Sequence, residues 1–426
     1  MERRMNRLST LGFLVAGAIV LAAVYGSAFG DRDVTASIDF DDGEGVRHIV
    51  NGDRGEFKLR QEGLSLVASW RGDYELNADG GDIVEVDRRL EIKREQNGVE
   101  ERAVYERDGG DVARTYFLDG EKQGDTPQTR AAMSALLTAY LGASGVKAEE
   151  RVAILLRKGG PDAVIAEIEA AYGGHARQRY AVELVEQADL APGELLALLT
   201  ALKGVEGDHD LRQALTAVLD NEKIGADEMP LFLEAASRID SDYDLRRLIE
   251  AVAEKPLNDD AMTLAIGLFE KIESDHDLRR AGEALLAQPG LAPDNIARLL
   301  SVAASQIDSD HDLRLLLDDS APLLAKGDAV AAAWLEGFGA LDSDHDRRLA
   351  IMDAAGQPGV SDAAYRDLIA ANALISSDHD RRLALEAFAK RAKADPALRA
   401  AYEDAARAIS SDSDRERALA AVGAAD

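Results

Sequence analysis

Residues 307–314 read Ile-Asp-Ser-Asp-His-Asp-Leu-Arg, and near copies recur through the second half of this 426-residue chain. Alternate carboxylates beside an imidazole are the donor types that hold cations. Asp308, Asp310 and Asp312 form D-x-D-x-D, which resembles the opening of a calcium loop. Three features oppose calcium. Leu313 stands where a sharp-turning Gly is needed, the first Asp becomes Ser376 or Ser410 in later copies, and no regular bidentate Glu follows.

Histidine raises zinc or pH sensing. His175, His209, His276, His311, His345 and His379 share one register, but Tyr243 and Ser413 take that place in two copies. Zinc ligands lie within about 2 Å of one ion, and residues a whole copy apart cannot easily share one. A flat ring packed across the turn suits His and Tyr alike, so packing is the preferred reading. His209, His276, His311, His345 and His379 remain candidates for sensing pH.

The structural reading of the phrase accounts for more of its positions. Taking the Asp before His or its substitute as marker gives Asp208, Asp242, Asp275, Asp310, Asp344, Asp378 and Asp412, at intervals of 34, 33, 35, 34, 34 and 34. A second Asp follows two residues later in every copy, at Asp210, Asp244, Asp277, Asp312, Asp346, Asp380 and Asp414. Arg stands four after the marker at Arg212, Arg246, Arg279, Arg314, Arg348 and Arg382, with Glu416 in the seventh copy. Ser274 or Asp275 can cap a helix N-terminus, and Asp277 falls where a capping box places an acid against free backbone N–H groups. Two carboxylates in a first turn also suit the positive end of the helix dipole. The Arg then projects beside acids of its own or the adjoining copy, so an Asp–Arg ladder can run along one edge of a stack.

No H-E-x-x-H, G-x-S-x-G or G-x-x-x-x-G-K-[ST] string is present, and Gly43-Glu44-Gly45 opens no strand-turn-helix unit. Cysteine is absent, which removes thiol nucleophiles, disulfides and Cys-ligated zinc. Trp70 and Trp334 read as core residues. The expectation is a non-enzyme with no catalytic, cofactor or metal residues. A hydrolase with an unrecognised site ranks third among the functional readings.

These phrases need helices to carry them. Self-similarity at about 34 residues indicates stacked helical repeats. Within one copy, 274–290 gives a first helix and 291–307 a second, with Pro293 suited to the first turn. An apolar residue sits three before each marker: Val205, Ile239, Ile272, Ile307, Leu341, Ile375 and Ile409. A weaker copy precedes them at Gly174-His175, and the seventh marker is followed by one helix's worth of chain.

Upstream, from Asp33 to about Asp125, the period is two. Phe57 and Leu59, Leu64 and Leu66, Val84 and Val86, and Leu90 and Ile92 alternate with mostly polar neighbours. Turn signals at Asn51-Gly52, Asp79-Gly80-Gly81, Asn97-Gly98, Asp108-Gly109-Gly110 and Asp119-Gly120 punctuate an antiparallel meander of six or seven strands, whose apolar face needs a helix as cover. Thr126-Pro127 starts the helical region.

At the N-terminus, Arg3, Arg4 and Arg7 precede 23 uncharged residues, Leu8–Gly30, about the length that spans a bilayer. Either a membrane anchor or a signal peptide with a cut near Gly26-Ser27-Ala28 follows, and both export the remainder. The formal net charge is −30, which disfavours nucleic acid and anionic lipid as partners.

The phrases "ISSDHDRR" and "IDSDYDLRR", with "GGDIVEVDRRLEIKRE", "ARTYFLDGEKQ" and "VAILLRKGGPDAVIAEIEAAY", resemble a group of exported or membrane-anchored bacterial proteins bearing I-S-S-D-Y-E-L-R-type repeats. Such repeats also occur in extracytoplasmic tails of some antibiotic-sensing zinc-peptidase transducers. The peptidase motif is missing here. The resemblance implies a sensor or scaffold module outside the membrane, built of HEAT-like helix pairs.

The expected organisation is mainly α with an N-terminal β domain: 1–30 anchor or signal peptide, 33–125 antiparallel β domain, 126–173 helical connector, and 174–426 α-solenoid of about 34-residue two-helix repeats. The expected function is a non-enzymatic extracytoplasmic scaffold of the bacterial envelope, inner-membrane anchored or secreted, that binds a protein or peptide. It needs no cofactor and touches the membrane through residues 8–30 if these are retained. The alternative is an envelope sensor of a small ligand, cation or pH through the Asp/His ladder.

Overall fold

The computed structural model describes residues 45–221, 224–225 and 228–423. The expected anchor or signal segment at 1–30, and the start of the β region at 33–44, lie outside the described residues. Among those described, no helix is long and apolar enough to cross a membrane. Contacts divide the chain into two units that meet between Ile154 and Leu155.

In the first unit, seven antiparallel strands form one sheet in the order β1 (Gly45–Asn51), β2 (Arg54–Gln61), β3 (Leu64–Arg71), β6 (Arg89–Gln96), β7 (Val99–Asp108), β8 (Asp111–Leu118) and β9 (Glu121–Lys122). The hairpin β4 (Tyr74–Leu76) and β5 (Ile83–Val86) branches off between β3 and β6. Alternation decides the buried face: Phe57, Leu59, Leu66, Ala68, Leu90 and Ile92 are buried. Asn97 and Gly98 both take positive φ, 52° and 81°, the conformation that a tight two-residue hairpin demands.

The expected Val84–Val86 pair is corrected. Ile83 and Val86 are buried, while Val84 is 53% exposed. The β4–β5 register jumps from Glu75↔Glu85 to Leu76↔Ile83, so Val84 is the extra residue of a bulge and the alternation slips by one.

The apolar face is covered by α1 (Pro127–Ser144), capped by Thr126, whose side chain accepts from the Thr129 N–H. Met133, Leu136, Leu137, Tyr140 and Leu141 of α1 join the sheet residues in one core, where the Tyr74 and Tyr140 hydroxyls lie 3.1 Å apart. The first helix after the strands thus belongs to the β unit. α2 (Ala148–Ala170) carries the boundary and leaves helical geometry at Gly159 and Gly160, just before Pro161.

The second unit stacks helices in two rows. One row holds α3 (Gly174–Gln187) and the phrase helices α5 (Asp208–Asn221), α7 (Asp242–Ala253), α9 (Asp275–Leu286), α11 (Asp310–Ser320), α13 (Asp344–Ala355), α15 (Asp378–Ala394) and α17 (Asp412–Val422). The other row holds α4 (Pro192–Leu202), α6 (Met229–Ala236), α8 (Asp259–Phe269), α10 (Pro293–Gln306), α12 (Asp328–Ala340), α14 (Asp362–Ala371) and α16 (Pro396–Arg407). Each helix contacts the next in its own row, which is an α-solenoid of two-helix repeats following an antiparallel β domain.

The apolar residue three before each marker is buried in all seven copies, from Val205 and Ile239 to Ile375 and Ile409. Burying each such side chain contributes about 1.5–3 kcal/mol toward holding the stack. Trp334 is wholly buried and donates its indole N–H to the Leu317 carbonyl, and Trp70 lies partly buried against the β core.

Gly55 sits directly opposite Trp70 in the β2–β3 register, where an added Cβ would fall 2.0–2.5 Å from three indole ring atoms. Gly55→Ala is expected to cost about 1–3 kcal/mol by overpacking. Thermal unfolding followed by Trp70 fluorescence in a Trp334→Phe background reads this as a lowered midpoint; an unchanged midpoint would show that the indole does not need the glycine.

Candidate functional site

The repeated phrases lie at the N-termini of the phrase helices, where one set of contacts recurs: a cap within each copy and two links to the next. A helix leaves its first backbone N–H groups without partners. The Ser before the marker takes one of them: Ser241, Ser274, Ser309, Ser343, Ser377 and Ser411 accept from the N–H of Asp244, Asp277, Asp312, Asp346, Asp380 and Asp414 at 3.2–3.4 Å.

The marker carboxylate reaches outward to the following copy. Asp275 accepts from the Asp308 and Ser309 N–H groups at 3.3 and 2.8 Å. Asp208, Asp242, Asp310, Asp344 and Asp378 do the same to the cap Ser and its predecessor one copy on, with the cap N–H at 2.7–2.8 Å.

The second Asp receives the preceding copy's Arg. Arg212 Nε donates to Asp244 at 2.6 Å, Arg246 to Asp277 at 2.5 Å, Arg279 to Asp312 at 2.8 Å, Arg314 to Asp346 at 2.9 Å and Arg382 to Asp414 at 2.8 Å. Arg348 Nε stands 2.8 Å from Asp380. Five junctions therefore carry the full set of hydrogen bonds, and the sixth keeps the Arg348–Asp380 ion pair with the same backbone contacts. The capping-box expectation is corrected at this point: Asp277 does not turn back to its own cap N–H, because that donor already belongs to Asp242 of the preceding copy and the Asp277 carboxylate is held by Arg246.

The histidines are also reassigned. They do not pack across the turn; His209, His276, His311, His345 and His379 are exposed. Their Nδ1 atoms stand 3.1, 3.3, 3.4, 3.0 and 3.4 Å from Nη2 of the Arg three residues on. A guanidinium only donates, so Nδ1 accepts. Tyr243 lies in the same register with the Arg246 guanidinium 5.0 Å from its ring centroid, a cation–π contact. Where Arg gives way to Glu416, the ring gives way to Ser413. At the five histidines and at Tyr243 the ring steadies the Arg; His175, with Gln178 three residues on, stands beside Asp210 instead.

Two further features are legible in helix spacing and repeat register. Arg246, Arg279, Arg314 and Arg382 also pair with the acid four residues on, Glu250, Glu283, Asp318 and Glu386. Arg347 and Arg381 replace the buried Leu of earlier copies and donate to carbonyls of Leu374 and Ala408. At the weaker copy, Gly174 takes the marker position because a Cβ there would meet the Glu206 carbonyl oxygen at 1.7 Å, and His175 Nδ1 lies 3.7 Å from Asp210. Asp412 takes Arg415 of its own helix at 2.7 Å.

Among the described residues no group of three or more His, Asp or Glu side chains converges at metal-ligand spacing. The D-x-D-x-D carboxylates diverge instead: Asp310 grips the next copy's backbone and Asp312 takes Arg279. A groove beside this edge is lined by Asp240, Asp242, Glu270, Glu273 and Gln306, with Lys271 donating to the Ser237 and Ile239 carbonyls. No family model, curated protein or solved structure matches the chain.

The clamp carboxylates Asp244, Asp312 and Asp414 are held in their charged form. Burial pushes Asp244 up, but the His209, Arg212 and Ser241 side chains outweigh it and hold the carboxyl at about 2. Burial likewise raises Asp312, and Arg279 with Ser309 brings it below the usual range; Ser411 and then Arg382 lower Asp414. Folded values below the unfolded value of about 3.9 mean that this stabilisation is present above about pH 4 and is lost as pH falls through the folded values. Helical circular dichroism of the second unit is therefore expected to fall between about pH 4 and pH 2. A signal held unchanged to pH 2 would contradict the charged clamp.

Proposed function

We propose that the chain is a non-enzymatic scaffold of the bacterial envelope, exported across the cytoplasmic membrane or anchored to it, which offers its helical repeats to a protein or peptide partner. The observation that carries this reading is the use made of the recurrent polar residues. The marker Asp, the second Asp and the Arg are committed to joining one copy to the next, which builds a regular surface and leaves no repeated acid–base or nucleophile set among the described residues. The uncharged run Leu8–Gly30 after three arginines supports export, and the acidic balance of the chain argues for a partner other than nucleic acid.

A second reading, an envelope sensor of a small ligand, a cation or pH, is favoured by the five exposed imidazoles beside the clamp arginines. Protonating Nδ1 would remove the acceptor that Arg now uses.

The scaffold reading predicts that a photo-crosslinking residue at Tyr243, His276 or His311 in native membranes gives a reproducible adduct with one protein, weakened when Arg279→Ala disrupts the neighbouring junction. Absence of any reproducible adduct, with unfolding midpoints that instead shift on adding Ca²⁺ or Zn²⁺, would replace the scaffold with the sensor.

A further inference from the structure

α11 and α13 each carry a carboxylate that the other phrase helices lack. Eight residues after the marker, Glu250, Glu283 and Glu386 pair with the clamp Arg of their own helix, whereas the fourth copy has the shorter Asp318. Nine after the marker, Ala217, Ala251, Ala284, Ala387 and Ala421 contrast with Asp319 and Asp353. Three carboxylates therefore stand at these positions on α11 and α13; the α9–α11 contact also counts three, but there Glu283 is neutralised by Arg279. Asp318 Oδ2 accepts from Arg314 at 2.5 Å, while its Oδ1 is buried with no hydrogen-bond partner among the described residues.

The surrounding charges do not cancel this excess. Arg314 and Asp319 act on Asp318 from its own helix and Asp353 acts from α13, where Arg347 is spent on the Leu374 carbonyl and Arg348 on Asp380. From α9 come Arg279 and Glu283, paired with one another. On α12, Asp328 and Glu336 are bonded to Ser361 and Ser301, and the 3₁₀ turn after α11 brings exposed Lys326.

We propose that the α11–α13 junction is a proton-operated latch: a proton taken up by Asp318 tightens this junction, and its release loosens it, while the other junctions lack the device among the described residues. A protonated Asp318 carboxyl no longer repels Asp353 and no longer leaves a charged oxygen buried without a partner. Burial pushes the Asp318 carboxyl up to about 6, with Arg314 opposing and Asp353 and Asp319 adding to the rise; burial, then Asp319, raises Asp353. The sign is opposite to that of the clamp. A folded value above the unfolded value of about 3.9 penalises the junction at neutral pH, and the penalty is relieved as pH falls through about 6 toward 4.

The inference stands apart from the proposed function. Its test is hydrogen exchange on the full chain at pH 7.5 and 5.0, corrected for the intrinsic pH dependence of exchange. Peptides spanning 313–320 and 350–355 are expected to become about tenfold better protected at pH 5.0, and the α7–α9 peptides to show no such gain. Asp318→Asn should hold the protected state at both pH values. Asp353→Ala, which restores the residue common at that register, should shrink the response and serves if the first variant fails to fold. An equal response in wild type and both variants, or one spread evenly over all junctions, would overturn the latch.

Discussion

The structure of the second unit depends on the backbone N–H groups at the start of each phrase helix being satisfied by the copy before it. Asp242 accepts from the Glu273 and Ser274 N–H groups, and Arg246 of the same helix reaches Asp277 of the next. One helix thus holds its neighbour at three points within a single turn. A helix start is rigid, so three contacts fix both the spacing and the rotation of the next copy. The 33–35-residue period in the sequence follows from that constraint, since each copy must return the chain to the same place.

Polar and apolar groups divide the work. The buried row from Val205 to Ile409 and the leucines beside it remove apolar surface from water and drive association. Such contacts tolerate sliding. The Arg side chains are 9–18% exposed, and desolvating a charge is costly, so an ion pair there adds little net stability beyond a well-packed apolar pair of the same volume. What it adds is register: a mispaired stack would leave a guanidinium and a carboxylate buried apart.

The division of labour explains what could be read from the chain. Seven copies of one phrase exposed the period, the two-helix unit and the Asp–Arg pairing, because each position was sampled repeatedly. The reach of Asp275 to Asp308 and Ser309 was hidden, since its donors are backbone groups with no residue signature and lie 33–34 residues away. His and Tyr in one register suggested a packed ring; the position of Arg246 next to exposed Tyr243 places the ring beside a cation instead. In the β unit, the alternation around Phe57 and Leu59 was legible, but the bulge at Val84 depends on how β4 pairs with β5.

The central claim is that Arg and Asp of adjoining copies act on each other across the junction. Arg212 and Asp244 test it most cleanly, because Thr216 replaces the acid found four residues beyond Arg in other copies. A double-mutant cycle with Arg212→Ala, Asp244→Ala and the pair, followed by urea unfolding, is expected to give a coupling energy of about 1.5–3 kcal/mol. Additive single effects, with coupling near zero, would mean that Arg and Asp do not clamp the stack, which is then held by apolar burial and the marker carboxylates.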